Sequence, residues 1–129
     1  MNIRRVGQVP RNERGAGQTS HLLLGLPGEN VPMSITLVDA EPGSRQDLHE
    51  HPDNTQVYLV IAGAGRMTVG AEEADVDVGT MICIPPGTPH AIRNTGANTL
   101  EAMSQALSIS AAFARHVAAN GTSRRCETC

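Results

Sequence analysis

The sequence predicts an all-β fold, an antiparallel sandwich or barrel. Three observations carry this reading. Apolar residues come in short runs or alternate with polar ones, thirteen glycines and eight prolines punctuate them, and only one stretch near the C-terminus reads as a clear helix. In chain order the expected strands are HLLLGL (21–26), MSITLVDA (33–40), QVYLVIAG (56–63), RMTVG (66–70), ADVDVG (74–79), TMICIPP (80–86) and HAIRN (90–94). The clusters LPGENVP, EPGS, HPDN, GAG, PPGTP and NTGAN supply the turns between them. LEAMSQALS (100–108) has helical propensity, but its place after the NTGAN turn predicts a further strand. Ser110 then caps AAFARHVAAN and Gly121 stops it, which predicts a short helix over 110–121. The chain divides into a polar, Gly-rich N-terminal arm (1–20), either loose or laid on a partner subunit, a β-barrel domain (21–109), the helix, and a flexible tail (122–129).

Composition narrows the function. A chain of 129 residues makes one domain with one modest core. Its net charge is −3, it has no tryptophan, and Tyr58 and Phe113 are its only Phe, Tyr or Trp rings, so it lacks both a phosphate-neutralising face and a base-stacking platform. Nucleic acid is not an expected partner. All ten basic residues are arginines, which excludes lysine Schiff-base chemistry. No apolar run is long enough to span a bilayer, and MNIRRVGQVPRNERG lacks the apolar stretch of a secretory signal. Cys83, Cys126 and Cys129 make an odd count with no disulfide framework, so the expected compartment is the cytoplasm.

The chemistry centres on LHEHPDNTQ (48–56). This stretch reads as a strand, on which His49 and His51 point to one side, with Leu48 and Glu50 on the other. After the PDN turn the chain returns as a strand carrying Gln56, Tyr58 and Val60 on one face, and that hairpin brings Gln56 toward the histidines. A third histidine, His90, closes PPGTPH, where the prolines restrict its approach. Three imidazoles and one oxygen donor suit a divalent transition metal with open positions for a small molecule.

Residues 43–63 read G-x5-H-x-H-x4-Q-x6-G and residues 79–94 read G-x5-P-x-G-x2-H-x3-N. In order and separation these resemble the two signature motifs of the cupin superfamily, and together they cover about a third of the chain. The resemblance implies a jelly-roll β-barrel enclosing a metal held by His49, His51, Gln56 and His90. The metal is one of Fe, Ni, Mn, Zn or Cu, and the assembly a homodimer. Gln56 departs from the pattern, which most often has glutamate there. A neutral amide leaves the full charge of a divalent cation on the site, favouring an anionic oxygen such as a carboxylate or enolate. The expected activity is metal-dependent chemistry on a small oxygen-rich organic acid or enol: isomerase or lyase chemistry through an enolate, or dioxygenase-type chemistry with iron. Two alternatives stand beside it. One is a polyketide cyclase, since some small cupins of that kind begin with an Arg- and Gly-rich stretch similar to NERGAGQTSHLLLG; the other is a non-catalytic small-molecule-binding module.

Other residues are open to two readings. Tyr58 shares the face of Gln56, so it either contacts substrate or fills core volume. Glu101, Met103 and Gln105 share one face of the last strand; if that face is interior, Glu101 or Gln105 is an acid/base partner or a ligand orienter, and if exterior, Glu101 is a solvated charge. Glycines 43, 63, 79 and 87 are assigned to turn geometry. Cys83 reads as a small core side chain, His116 as a surface residue on the terminal helix, and the Cys126–Cys129 pair as part of the tail.

Overall fold

A computed structural model of the chain describes residues 1–108; the expected C-terminal helix, His116 and the Cys126–Cys129 pair lie outside the described residues. Nine strands follow a 3₁₀ turn at Val6–Gln8: β1 (Arg11–Gly15), β2 (Gln18–Leu24), β3 (Met33–Ala40), β4 (Asn54–Ala62), β5 (Ala64–Val69), β6 (Glu72–Asp77), β7 (Met81–Ile84), β8 (His90–Asn94) and β9 (Leu100–Ser108). They form two antiparallel sheets with strand orders β1-β2-β3-β9-β4-β7 and β6-β5-β8, a jelly roll. No helix among the described residues is long and apolar enough to cross a membrane.

Alternation decides which side chains enter the barrel. On β4 the inward residues are Gln56, Tyr58 and Val60, all buried, while Leu59 and Ile61 stay exposed. On β9 they are Leu100, Ala102 and Ser104, also buried. Val60, Leu100 and Ala102 pack with Met67, Val76 and Ile92 of the smaller sheet and close one end of the sandwich as an apolar plug. Toward the other end the inward residues turn polar. Ser104 is paired with Tyr58 on one side and with Thr36 on the other, and Ala106 with Gln56 and Ser34. The plug supplies the hydrophobic stabilisation, and the polar end supplies the cavity.

Two readings of the sequence change here. The arm is not a separate segment throughout, because residues 11–20 enter the first hairpin: Gln18 pairs with Ala40 and Ser20 with Val38, and both polar side chains are almost fully buried. Ahead of it, Glu29 accepts from the backbone N–H groups of Gly25 and Leu26 and from Arg4, and these contacts hold its carboxyl down at about 2. The second change concerns residues 44–51, which are not a regular strand. They run along β8 through isolated bridges at Arg45–Arg93 and His49–His90, and the Gln46 backbone N–H donates to Ile92 O at 2.9 Å.

The signature glycines are conformational, as expected. Gly43, Gly63, Gly79 and Gly87 all have positive φ. Gly63 carries a second constraint, since a Cβ there would sit 2.5 Å from Thr99 O. Asn94, the last residue of the second motif, is also structural: its side chain donates at 2.8 Å to both Ala40 O and Asn98 O, tying the end of β8 to β3.

Gly43→Ala, with open space around the added methyl, should therefore cost about 1–2 kcal/mol for its left-handed backbone alone. Gly63→Ala must also displace backbone and should cost at least twice as much. Urea unfolding of both variants checks this, and equal losses would show that the Gly63 contact relaxes freely.

Candidate metal centre

The three histidines meet because two stretches of backbone pair. His49 and His90 exchange both backbone hydrogen bonds, at 3.1 and 2.8 Å. In an antiparallel pair such residues present their side chains on the same face. His51 joins them two residues on, its carbonyl fixed by the Gly87 N–H at 2.9 Å, so the PPGTP turn clamps the HxH segment directly. The ring centroids lie 4.3 Å (His49–His90), 5.2 Å (His49–His51) and 5.5 Å (His51–His90) apart. One nitrogen from each ring falls within 4.8 Å of the others, close enough for a single ion to bridge.

Hydrogen bonds settle which nitrogens are free. The Nδ1–H of His49 donates to Asp47 O and that of His90 to Thr88 O, each at 2.9 Å. A carbonyl only accepts, so Nδ1 carries the proton in both rings and Nε2 keeps its lone pair for a metal. His90 Nε2 is buried without a hydrogen-bond partner among the described residues, in a residue only 1% exposed.

Gln56 is the fourth donor that the motifs imply. It lines the same cavity as His49 and His51, and its Nε2 donates to Ser104 Oγ at 2.7 Å. This leaves Oε1 buried with no hydrogen-bond partner among the described residues. A buried acceptor without a donor is costly. Both orphans, an imidazole nitrogen and an amide oxygen, are donors that a divalent cation satisfies, so the residues present fit the metal that the motifs imply. Ser104 has no metal-ligand character in the sequence; only its register beside Tyr58 and its diagonal reach to Gln56 reveal its part.

The electrostatics agree. Burial, then the neighbouring His49, lowers the pKa of His51; burial likewise lowers that of His90, reinforced by His49 and His51 and opposed by its bond to Thr88. The site disfavours protonated imidazole and keeps its lone pairs available. Tyr58, 2% exposed with its ring 6.4 Å from that of His90, is pushed up by burial, partly offset by Gln46, Ser104 and the charge of Arg14. It is a neutral hydrogen-bond donor.

The cavity measures about 540 Å³ and is lined by Arg14, Gln18, Ser20, Gln46 and Tyr58 besides His49, His51 and Gln56. Its only carboxylate among the described residues is the exposed Asp47. Glu101 and Gln105 are not in it, because they alternate with the inward residues of β9 and project from the other face of the sheet; Glu101 instead lines a surface depression with His21 and Asp39. A larger cleft of about 860 Å³ runs past Met67, Val76, Met81 and Cys83 but contains no imidazole, so the smaller cavity is the candidate site. Cys83 lies on that cleft, half-buried, and not in the core.

A family model described as the cupin domain matches residues 36–107. An uncharacterized protein of Methanocaldococcus jannaschii is 37% identical over 68 residues, 53% of this chain and 54% of that protein; the chain thus spans about half the length of this curated relative. The oxalate-binding protein of Thermotoga maritima is 26% identical over 91 residues, 70% of this chain and 75% of that one. A solved structure described as a predicted oxalate decarboxylase from Thermotoga maritima aligns with a TM-score of 0.74 at 20% identity, over 84% of this chain and 100% of that one. At that identity the likeness speaks for the fold.

The donor geometry leads to two expected outcomes. Ser104→Ala removes the group that turns the Gln56 oxygen inward, so metal affinity should fall about tenfold or more, with Ser104→Thr retaining it. Chelator competition measures this, and unchanged affinity in Ser104→Ala would show that the amide needs no orienter. The second concerns pH. Because the folded-state pKa values of His51 and His90 are lowered from 6.5, the unfolded chain binds more protons as pH drops below that value. Metal-stripped protein should therefore lose stability as pH falls from about 7.5 through 6.5, levelling off below the folded-state values. Thermal melts across this range would contradict the reading if the melting temperature did not fall.

Proposed function

This chain belongs to the cupin domain family, and from that membership we propose that it holds one divalent transition-metal ion through His49, His51, His90 and Gln56 and uses it to bind a small oxygen-rich carboxylic acid. The observation that carries this is the charge of the donor set. Three neutral imidazoles and a neutral amide leave a divalent ion its full charge, in a cavity with Arg14 and Arg45 on its lining and, among the described residues, only Asp47 opposing them. That balance favours an anion. The name of the oxalate-binding relative points the same way.

A bound divalent cation would supply Lewis-acid polarisation of the ligand's oxygens. The chain's own residues direct the rest of the chemistry. Tyr58, held neutral by burial, is placed to donate a hydrogen bond to an oxygen on which negative charge develops, as in an enolate. Arg45 places a second positive charge at the mouth, without an ion pair among the described residues. Isomerase or lyase chemistry through an enolate fits these groups.

A second reading has its own support. Glu101 and Gln105 lie outside the cavity, and no buried carboxylate among the described residues lines it to act as a general base. That favours a binding module that sequesters the acid without turnover. A screen of metal-loaded protein against keto acids, hydroxy acids and enols separates the two readings, because the module predicts binding in every case and product in none. The polyketide cyclase alternative gains nothing from the cavity, whose only aromatic ring besides the histidines, among the described residues, is Tyr58. We also propose a homodimer, formed through the outer face of the larger sheet, where Leu37, Met103, Leu59 and Met81 form one cross-strand apolar row.

Gln56→Glu tests the charge reading. The carboxylate should hold the metal at least as tightly, yet weaken a bound carboxylic acid by about 1–3 kcal/mol by removing one unit of positive charge. A neutral ligand should be affected far less. Titration of both forms with metal and then with oxalate or malonate measures this, and equal acid affinity would remove the case for an anionic substrate.

A further inference from the structure

We propose that Arg14, on the first hairpin, is a clamp for a second carboxylate, so that the preferred ligand is an elongated keto or hydroxy diacid whose far end lies away from the imidazoles. This rests on the reading of the cavity as a site for carboxylic acids, and it assigns to residues 11–20 a part in recognition that neither cupin motif contains.

Four observations place the clamp. The register of β1 and β2 slips between Glu13 and Gly15, so Arg14 is the extra residue of a β-bulge and Gly15 takes the place opposite Gln18. Bulges re-aim side chains beside binding sites. Arg14 lines the cavity, and its Nε donates to Ser20 Oγ at 2.8 Å. Ser20 is only 2% exposed, so a rigid part of the barrel wall holds the guanidinium through Nε, and neither Nη group has a hydrogen-bond partner among the described residues. No carboxylate pairs with Arg14 among the described residues, whereas Arg4, Arg11 and Arg66 all have acidic partners. Beside it, Gln18 is 1% exposed, lines the same cavity, and holds its Nε2 buried without a hydrogen-bond partner among the described residues.

The chemistry of these groups selects the ligand. A tethered guanidinium with two free nitrogens matches the two oxygens of a carboxylate. A buried amide N–H adds a donor for a keto or hydroxyl oxygen. The charge of Arg14 also reaches the hydroxyl of Tyr58, which lines the same cavity. A two-carbon diacid would leave most of the roughly 540 Å³ to water, which argues for a longer molecule.

The test compares two probes on the metal-loaded protein by calorimetric titration: oxalate as the short diacid and 2-oxoglutarate as the elongated one. Wild type should bind the longer acid more tightly. Arg14→Ala should reduce that affinity about tenfold or more while moving oxalate affinity less than about twofold. Arg14→Lys, which keeps the charge and loses the fork, and Ser20→Ala, which loses the tether, should each give an intermediate loss. If wild type binds the longer acid but Arg14→Ala binds it equally well, the clamp is wrong and the carboxylic-acid reading stands. If both acids weaken equally in Arg14→Ala, the residue acts as a diffuse charge and the clamp is again overturned. If wild type binds neither acid, the carboxylic-acid reading falls and takes the clamp with it.

Discussion

The site depends on one backbone contact, the reciprocal hydrogen bonds between His49 and His90. The HxH segment has no regular strand of its own, and this pairing with β8 gives it a fixed register. A slip of one residue would turn His49 and His51 away from His90. The turn at Pro85–Pro89 locks the register from the other side, through Gly87 to His51 O and through Thr88 O to the His90 ring. Metal-ligating geometry is thus built mostly from main-chain bonds, which do not depend on the exposure of the side chains they position.

A second constraint is the change of character along the barrel. The inward residues of β3, β9 and β4 pass from Ala40, Leu100 and Val60 at one end to Ser34, Ala106 and Gln56 at the other. The apolar rows bury enough surface to hold the sandwich, leaving the polar rows free to carry unsatisfied groups. Gln56 Oε1 and His90 Nε2 are such groups, and a bound cation would offset their cost. On the proposed reading, a buried orphan acceptor is thus both a local instability and the source of affinity.

Much of this is legible in the sequence, and what is hidden has a common cause. The strands β3 to β8 announce themselves through alternation and turn residues, and the histidine cluster through the rarity of histidine and the spacing of two motifs. The first hairpin does not, because Gln18 and Ser20 read as solvent-facing when they in fact line a polar cavity; hydrophobicity marks a core but not a wet interior. The same blindness leaves the face of β9 open. Leu100, Ala102, Ser104 and Ala106 include three side chains small enough for a crowded interior, and that signal, weighed against the bulk of Met103 and the charge of Glu101, points to the right face. Ser104 and Arg14 need the structure, since one acts through a diagonal contact across strands and the other through a bulge.

The central claim is a donor set assembled before any ion arrives. Its most direct test is titration of the metal-stripped protein with a divalent transition metal, alongside His49→Ala and His90→Ala, with folding followed by circular dichroism. The expected result is one ion per chain in wild type and no stoichiometric binding in either variant, both still folded. Full occupancy in either variant, or a folded wild type that takes up no ion, would contradict it.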